Sequence, residues 1–457
     1  MDPETAEAAD QLLSSEALIN DPHYLQAVTD MAGSREVTAS DAIYSSTGFK
    51  LLDKGAKVDQ RLYDRLQLHQ LSQPIENSLQ VQNAVDLPSL EAQVVLLTGS
   101  TQLGRQISAL LGDEHYILLE VLRHIPWPPQ VGFKMTVMRE QLPQLFEHSV
   151  LMMMCTVYLA IKQRMTIADC AELAAAALLH DVGMLYMPPS WKNVDHKLTL
   201  QERKQLAAHS ITGMLVVRET GAYSARMADA VLEHHERLDG SGYPRRTKGD
   251  EVSPWGRILM LAEVMAAFYS KFSDMPAQRL SLMLRMNHRR FDPVLTEHAY
   301  ALLRAADEPA DSPSHTSAEV RQVIATLAAV MQHWIMCKRK FPEPWHGLPG
   351  SAAAAYVDTR LQSLEKALAE SGAHPRQQAD WLKIFEEDSS SMAELVLINK
   401  EALWQVESCV EACIRQWPQL RQPSHPLEEV LEDWLQSCRS VLGLAAAVQE
   451  VAVDAVQ

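Results

Sequence analysis

The segment His234–Pro244 reads HHERLDGSGYP and places two adjacent imidazoles ahead of a loop that contains two glycines. A second doublet, His180-Asp181, lies upstream, and the single residues His148 and His209 lie at two further points of the chain. Neighbouring side chains at a helix end point about 100° apart, so one doublet can reach two different ions. Imidazole and carboxylate groups that converge from several helices are typical ligands of a dinuclear centre. The pattern therefore predicts a metal site that is built by folding.

No cysteine lies among these candidate ligands. An imidazole and carboxylate set suits iron, manganese or catalytic zinc better than a closed structural zinc site, which uses thiolates. Asp181 is the natural bridge between two ions, because it follows His180 directly and its side chain points in a different direction.

The helices that carry these residues can be predicted from local patterns, and no alternating strand pattern interrupts them. Asp169–Leu179 is rich in alanine and leucine and delivers the His180-Asp181 doublet at its end, where Gly183 can form a left-handed cap. Thr199 and Glu202 form a capping box, which is expected to open a helix that carries His209 about three turns in. An all-helical core is therefore expected.

Two further helices complete the predicted core. One runs from about Ser224 to the His234-His235 doublet. Ser253-Pro254 is typical of the N-cap and first residue of a helix, and that helix contains Glu263 among apolar residues. A buried acid needs a partner, and a metal ion is one candidate.

From about Leu145 to Pro293 the chain resembles the HD-GYP family, bacterial metal-dependent phosphodiesterases that hydrolyse cyclic di-GMP. The matching residues are EHSV at 147–150, LLHDVG at 178–183, KLT at 197–199, Glu202, His209, Gly213, HHE at 234–236 and DGSGYP at 239–244. The resemblance implies that the metal ligands are His148, His180, Asp181, His209, His234, His235 and Glu263. It also implies catalytic roles for His180, Asp181 and His235, with His235 or His234 assisting the leaving oxygen.

Substrate contacts are predicted around the loop. Arg245, Arg246 and Lys248 form a basic tract next to the predicted site, which could receive a dianionic cyclic dinucleotide, although a solvated turn explains them equally well. Tyr243 could stack on a guanine or hydrogen bond to it, and in the family the same loop also contacts other signalling proteins. Lys271 is a further candidate for phosphate binding.

Three positions depart from the family pattern. Met184 stands where the family usually has a lysine, Glu263 stands where it has an aspartate, and Phe272 replaces an arginine and leaves only Lys271 beside it. Gln144 occupies the position at which some relatives have an acid for a third metal, so two divalent ions, iron or manganese, are expected.

These departures leave two functions open. The first is a phosphodiesterase that opens cyclic di-GMP to linear pGpG, with GMP as the product of a second hydrolysis. The second is a catalytically weakened relative that binds metal or nucleotide and acts as a signalling adaptor. A hydrolase of another phosphoester is a third, weaker alternative.

Composition limits the alternatives. The 457 residues include 41 lysines and arginines against 58 acids, and the net charge of −17 argues against a nucleic-acid polymer as partner. Six cysteines without CxxC spacing, and no secretory signal, predict a cytoplasmic protein. The longest apolar run, Val150–Ile161, is shorter than the roughly 18 to 20 residues of a membrane span and is expected to be a core helix.

The chain is expected to be mainly α-helical, with four parts. Residues 1–33 form an N-terminal lead, and residues 34–125 form a small β-containing module plus helices, with Glu36-Val37-Thr38 and Phe49–Leu52 as β-prone segments beside the turn Ser45–Gly48. Residues 126–306 form the metal-dependent phosphohydrolase domain. Beyond a linker at 307–317, residues 318–457 form a helical region that could dimerise or dock a diguanylate cyclase or another signalling protein.

Overall fold

The structure is a computed structural model, and it describes residues 15–192, 199–272, 275–304, 316–370, 373–378 and 389–443. The chain divides into two compact units. One contains Met1–Leu284 and His288–Asp307, and the other contains Arg285–Asn287 and Glu308–Gln457. Both are mainly helical, as predicted. The motif residues Lys197 and Leu198, and the predicted linker up to residue 315, lie outside the described residues.

The first unit begins with helices α1 (Ser15–Ile19) and α2 (Pro22–Ser34), followed by short strands. The strands are β1 (Val37–Ala39), β2 (Ile43–Tyr44), β3 (Lys50–Leu52) and β4 (Leu79–Val81). β1 pairs antiparallel with β4, and β2 pairs antiparallel with β3 across the predicted turn at residues 45–48. The β-prone segments are therefore confirmed. β4 was not predicted, because three residues give too short an alternating pattern.

Helix α3 lies between β3 and β4, and helices α4 to α7 follow β4 and precede the first predicted metal ligand, His148. Their bounds are α3 Gln60–Leu68, α4 Leu87–Ser100, α5 Gln102–Leu111, α6 Ile117–Arg123 and α7 Pro129–Gln141. A short 3-10 helix, Ile75–Asn77, lies between α3 and β4 and packs against α7. This part of the chain shares one hydrophobic core with the residues that follow it.

The central helix of the first unit is α8, Pro143–Lys162, and every residue from Ser149 to Ala160 on it is buried. It packs mainly against α9 (Ile167–Leu179) and α13 (Pro254–Lys271). The prediction of a core helix around residues 150–161 is confirmed. By length and composition alone α8 could cross a membrane, but 72% of its apolar window is buried inside the protein, as in the core helix of a soluble protein.

The remaining helices up to Arg304 follow in chain order. They are α10 Leu200–Leu206, α11 His209–Glu219, α12 Ala225–Glu233, α14 Pro276–Met286 and α15 Pro293–Arg304. The predicted N-caps Thr199 and Ser253 are confirmed, and Ser224, at which a helix was expected to begin, is also an N-cap. The Thr199 hydroxyl and the Glu202 carboxylate form the capping box of α10, and the Ser224 and Ser253 hydroxyls accept from the first turns of α12 and α13.

Two local predictions are wrong. The helix that Thr199 opens ends at Leu206, and His209 is the first residue of the separate helix α11 rather than a residue about three turns into a continuous one. Gly183 has no positive φ and forms no left-handed cap. It lies in the 3-10 turn Val182–Tyr186, and a Cβ there would lie 2.0 Å from the carbonyl oxygen of His209. The glycine is needed for close packing, which a chain pattern does not reveal.

The second unit contains α16 (Ser317–Lys338), α17 (Ser351–Glu370), α18 (Ser389–Gln416) and α19 (Pro426–Val441). α18 packs against each of the other three. Trp334 lies against Trp434, and its indole N–H donates to Asp358, which also pairs with Lys338 at 2.7 Å. The unit is thus a helical bundle with its own core.

Candidate metal centre

Seven side chains from five segments converge inside the first unit, and we call them the ligand cluster. They are His148 on α8, His180 and Asp181 after α9, His209 on α11, His234 and His235 after α12, and Glu263 on α13. Their potential ligand atoms fall into two groups, within each of which all atoms lie within 4.8 Å of one another. The structure therefore brings together every residue that was predicted as a metal ligand.

The first group consists of His148, His180 and Glu263. Glu263 Oε2 lies 2.8 Å from His148 Nε2 and 3.4 Å from His180 Nε2. His180 is fully buried, and the other two side chains are only 12% and 13% exposed. The glutamate therefore reaches the histidines from α13 despite its extra methylene relative to aspartate.

The second group consists of Asp181, His209, His234 and His235. Asp181 Oδ1 lies 3.0 Å from His209 Nε2 and 3.6 Å from His234 Nε2. Its other oxygen, Oδ2, lies 3.2 Å from His180 Nε2 in the first group. Asp181 thus spans the two groups with its two oxygens, which is the position that the sequence predicts for a bridging carboxylate.

Three of the imidazoles are oriented by the backbone. The Nδ1 atoms of His180, His209 and His234 lie 2.8, 2.6 and 2.5 Å from the carbonyl oxygens of Ala177, Leu206 and Val231, each three residues earlier. A carbonyl oxygen only accepts, so each Nδ1 carries a proton and donates it. In a neutral ring, Nε2 is then a bare acceptor, and a backbone partner of this kind commonly orients the histidine ligands of metals.

Several ligand atoms that face the centre of the cluster have no hydrogen-bond donor directed at them among the described residues. His209 Nε2 and His234 Nε2 face each other at 3.4 Å. His180 Nε2 and Asp181 Oδ1 are buried and have no hydrogen-bond partner among the described residues. Buried polar atoms are normally satisfied, and acceptors that face one another need a cation or a proton between them. This donor set of imidazoles and carboxylates fits divalent metal ions such as iron or manganese.

The electrostatics of the cluster support the same interpretation. Burial opposes a charge on His180, but Asp181 and Glu263 outweigh it and raise its pKa to about 9. Burial would raise the pKa of Glu263, yet His148 and His180 lower it to about 2. Burial likewise opposes charge on Asp181, but His180 and His209 hold its pKa well below the usual range. The site therefore keeps its carboxylates ionised and attracts positive charge.

The pKa values of His234 and His235 are lowered, whereas that of His180 is raised. Burial lowers the pKa of His234, and His180 and His209 contribute to the shift while Asp181 opposes it. Burial lowers the pKa of His235 well below its usual range, with His234 and His209 adding to the effect. Both rings therefore stay neutral near pH 7, which is the form that binds a metal.

Close backbone packing fixes the distance between two parts of the cluster. The turn that follows Asp181 lies against the start of α11, because Gly183 contacts the carbonyl of His209. Gly213 lies one turn further along α11, and a Cβ there would lie 3.2 Å from the carbonyl oxygen of His180. Side chains at 183 or 213 would push the two ligand-bearing segments apart.

The loop from Asp239 to Lys248, which we call the glycine loop, is held by two buried glutamates. Glu236 accepts the backbone N–H groups of Arg245 and Thr247 at 2.7 and 3.1 Å. Glu233 accepts the guanidinium of Arg245 at 2.7 Å and also the N–H of Ser253. Glu233 and Glu236 are 3% and 0% exposed, so both are buried acids, and each of their carboxylate oxygens accepts a hydrogen bond.

Glycines allow the loop to fold back on the histidine doublet. Gly240 has a φ of +76°, which only glycine adopts readily. A Cβ on Gly242 would lie 2.5 Å from the backbone of Glu236 and Arg237. The N–H of Tyr243 donates to the carbonyl of His235, and the two rings lie 4.7 Å apart. The loop therefore places the tyrosine directly beside the ligand cluster.

The predicted substrate-binding cations lie in different environments. Arg245 is held by Glu233, whereas Arg246 is exposed with a φ of +58°. Lys248 is exposed at the end of the glycine loop, and its backbone bridges to Asp239. Lys271 is the last residue of α13, and its ammonium lies 5.3 Å from the ring of Phe272. Their roles in substrate binding stay predictions.

The positions that depart from the family pattern can also be located. Met184 is half-buried in the turn Val182–Tyr186, and its N–H donates to the carbonyl of Asp181. Phe272 caps α13 and lies under the guanidinium of Arg279 at 4.8 Å. Gln144 is exposed in the first turn of α8.

Sequence reasoning missed two supports of the site. Glu233 directly precedes the histidine doublet, and an acid on the apolar face of α12 was a signal that could have been read. Lys134 on α7 gave no such signal, because its partners Glu76 and Tyr186 are distant in the chain.

Comparison with known proteins gives a matching family for this region. The HD domain family matches residues 134–295. A 3'3'-cGAMP-specific phosphodiesterase of Vibrio cholerae is 31% identical over 141 residues, which cover 30% of this chain and 30% of that protein. A cyclic di-GMP phosphodiesterase of Pseudomonas aeruginosa is 28% identical over 186 residues, 39% of this chain and 43% of that protein. The chain therefore matches less than half the length of either relative.

A solved structure was also found. It is described as an HDG"Y"P protein from Bdellovibrio bacteriovorus and is 16% identical, with a TM-score of 0.33 over 60% of this chain and 96% of that chain. A TM-score of this size supports no geometric argument.

Proposed function

Because residues 134–295 form an HD domain of the HD-GYP type, we propose that this chain is a metal-dependent phosphodiesterase for cyclic di-GMP. Its products are linear pGpG and, after a second hydrolysis, GMP. Several curated relatives at about this level of similarity carry the names cyclic di-GMP phosphodiesterase or 3'3'-cGAMP phosphodiesterase. The proposed location is the cytoplasm, where the six buried, unpaired cysteines would stay reduced.

One observation carries the proposal. The Nε2 atoms of His180, His209 and His234 point at the two oxygens of Asp181, while their Nδ1 atoms are committed to backbone carbonyls. Purely structural histidines would be expected to find donors or water for these atoms. Without a bound cation these acceptors face one another unless a proton is taken up, as the raised pKa of His180 indicates, and two divalent ions, iron or manganese, are the cofactors that this arrangement suits.

When bound, a pair of such ions would supply a hydroxide nucleophile near neutral pH and offset charge on the phosphoryl oxygens. The first group would hold one ion through His148, His180 and Glu263, and the second group would hold the other through His209, His234 and His235. Asp181 would bridge them. The low pKa of His235 favours a ligand role for this residue over proton donation to the leaving oxygen.

The glycine loop would supply the substrate contacts. Burial raises the pKa of Tyr243 far above its ordinary value, so its hydroxyl stays protonated and can donate to a guanine or phosphate oxygen. Arg246 and Lys248 are exposed on the same loop and would meet the dianionic substrate. Arg245 is less available, because its guanidinium binds Glu233.

The test measures metal and product together. The purified protein is loaded with Mn²⁺ or Fe²⁺, metal per chain is determined, and cyclic di-GMP products are separated over time. We expect turnover, and we expect His180→Ala and Asp181→Ala to abolish it and to lower metal content. His115→Ala is the matched control, because His115 is exposed and bonds only to the carbonyl of Gly112. Full metal loading without any product would contradict the phosphodiesterase proposal.

The second candidate is a signalling adaptor that binds metal or nucleotide without turnover. It is favoured by Met184 and Phe272, which cannot donate to phosphate where the family has lysine and arginine. Met184→Lys separates the two. An enzyme limited by this position would gain roughly tenfold in turnover or affinity, the value of one charge-assisted hydrogen bond. An adaptor would stay inactive. Met336→Lys, at an exposed methionine of the second unit, is the control.

A further inference from the structure

A buried cation outside the ligand cluster connects the N-terminal segments to the turn that follows Asp181. Lys134 on α7 is 5% exposed, and its ammonium lies 2.5 Å from the carboxylate of Glu76, which is 8% exposed. The same ammonium donates to the hydroxyl of Tyr186 at 2.8 Å and lies 4.1 Å above the ring of Tyr24. We call these four residues the lysine cluster.

The four residues come from four segments of the first unit. Tyr24 lies on α2, Glu76 on the 3-10 helix Ile75–Asn77 and Lys134 on α7. Tyr186 ends the turn Val182–Tyr186, and its ring stacks on that of Tyr24 at 4.9 Å with an interplanar angle of 17°. The cluster therefore joins the N-terminal module to the turn that begins one residue after Asp181.

A buried ion pair often does not stabilise a protein, so its presence is better explained by another role. Removing two charges from water costs free energy that their attraction often fails to recover, and apolar residues of similar size are frequently as stable or more stable. Glu76 keeps Lys134 charged, since it raises the lysine pKa well above the usual value even though burial opposes this. The hydroxyl of Tyr24 is buried without a partner among the described residues, so only its ring serves the cation.

The turn Val182–Tyr186 is held by contacts on both sides, so its position is fixed. On one side, Gly183 contacts the carbonyl of His209. On the other side, Tyr186 is held by Lys134 and Tyr24, and α2 and α7 both pack against the turn. Within the turn, the N–H of Met184 donates to the carbonyl of Asp181. A shift of Tyr186 would therefore be transmitted to the bridging carboxylate.

We propose that Lys134 and Glu76 are positioning residues for Asp181, and that through them the N-terminal module is a structural part of the metal centre. This inference rests on the proposed function, since it concerns the metal ligands of that site. The ion pair fixes Tyr186, Tyr186 fixes the turn Val182–Tyr186, and the turn fixes the orientation in which Asp181 reaches both ligand groups.

The test replaces the pair as a unit, because removing one partner alone would leave an uncompensated buried charge and could unfold the protein. In the full chain, Lys134→Met is combined with Glu76→Leu. The apparent Kd for Mn²⁺ is measured from the EPR signal of free Mn²⁺, and the melting temperature of the metal-free protein is recorded. We expect an unchanged or higher melting temperature, and a Kd raised by roughly 2- to 30-fold.

Two further variants exclude a general loss of packing. Tyr186→Phe keeps the stacked ring but removes the hydroxyl that accepts from Lys134, and it should raise the Kd in the same direction by a smaller factor. Arg35→Met combined with Glu140→Leu removes another ion pair between the end of α2 and α7, at 2.9 Å, that does not reach the turn. This control should leave the Kd unchanged.

An unchanged Kd in the Lys134→Met, Glu76→Leu protein would overturn the inference. So would an equal rise in the Arg35→Met, Glu140→Leu control, because the effect would then be general. If the unmodified chain binds Mn²⁺ but hydrolyses no cyclic di-GMP, the proposed function fails while the Kd comparison still decides the role of the pair. If the unmodified chain binds no Mn²⁺, both proposals fail.

Discussion

The ligand cluster and the glycine loop use buried acids in opposite ways. In the loop, Glu233 and Glu236 accept hydrogen bonds from backbone N–H groups and from Arg245, so the chain itself supplies their partners. In the cluster, Asp181 lies 3.0 to 3.6 Å from the Nε2 atoms of His180, His209 and His234, whose Nδ1 protons are donated to backbone carbonyls, and Asp181 Oδ1 is buried without a hydrogen-bond partner among the described residues. Low exposure of an acid therefore does not by itself indicate its function. The presence or absence of donors separates a structural acid from a metal ligand.

Among the variants that test the contrast between the ligand cluster and the glycine loop, Asp181→Asn should have the largest effect. The amide keeps the size of the side chain but removes the negative charge that both ligand groups share. We expect loss of at least one bound metal and a fall in turnover on the order of 10³-fold, because metal ions supply most of the charge stabilisation in such sites. Metal analysis and product formation measure the two effects.

The matched control is Asp229→Asn. Asp229 is a surface acid that pairs with Arg218 on the neighbouring helix, and its loss should change neither quantity. If Asp181→Asn retained full metal content and activity, the contrast between the cluster and the loop would lose its basis.

The pH dependence of metal binding is the next largest expected effect. Because Asp181 and Glu263 raise the pKa of His180 to about 9, a proton must leave this ring before a metal can bind. Below that pH the affinity for Mn²⁺ should therefore rise with pH, by about tenfold per unit if a single proton is released. Titrations of Mn²⁺ at pH 7, 8 and 9 measure the slope.

The raised pKa of His180 also predicts how the stability of the metal-free protein depends on pH. The folded-state pKa of His180 lies above its usual value of 6.5, so its stabilising contribution is complete below pH 6.5 and is lost as the pH rises to about 9. For Glu263, lowered to about 2, the contribution is present above pH 4.5 and is lost as the pH falls to about 2. Melting temperatures of the metal-free protein should fall between pH 6.5 and 9, and His180→Ala should remove that slope.

In the glycine loop the expected effect is on stability. Glu236→Gln replaces one of two accepting oxygens by a donor, although Arg245 N–H and Thr247 N–H both need acceptors. We expect the free energy of unfolding to fall by about 1.5 to 3 kcal/mol, the cost of a lost hydrogen bond to a buried charge. Denaturant titration measures it, with Glu219→Gln at an exposed acid at the end of α11 as control. Metal content should stay near that of the parent, and a large loss would contradict a purely supporting role.

The smallest expected effect concerns Arg246. It is exposed, holds no partner in the loop and would contact only the substrate, so Arg246→Ala should raise the KM for cyclic di-GMP by roughly 2- to 5-fold, as for one screened surface charge. Arg164→Ala is a close control, because Arg164 is also exposed and has a φ of +56°. Equal KM values for both variants would mean that Arg246 belongs to a solvated turn.

Local sequence signals predicted much of the fold. The capping residues Thr199 and Ser253 and the start of a helix at about Ser224 were identified correctly, because a cap depends on neighbours within one helical turn. The two doublets with His148 and His209 indicated a metal site from residue types alone, and the resemblance of HHERLDGSGYP and the His180-Asp181 doublet to a known family gave the full ligand set. Their convergence depends on contacts between segments that are distant in the chain.

The wrong and missing predictions also result from contacts between segments that are distant in the chain. The break between Leu206 and His209 exists because α11 must approach the turn after Asp181, and no residue in between marks it as a helix end. Gly183 was interpreted as a cap, since a glycine after a helix is usually one. The lysine cluster was missed because Lys134 and Tyr186 are 52 residues apart in the chain.

The contact between Gly183 and the carbonyl of His209 has a consequence for metal exchange. The main chain, rather than any adjustable side chain, sets the separation between the segments that hold His180 and His209. If the proposed site exchanged one divalent ion for another of different radius, this backbone contact would leave the imidazoles little room to follow. Accommodation would then fall to the carboxylates of Asp181 and Glu263. The protein is therefore expected to tolerate several divalent ions while holding its histidine frame rigid.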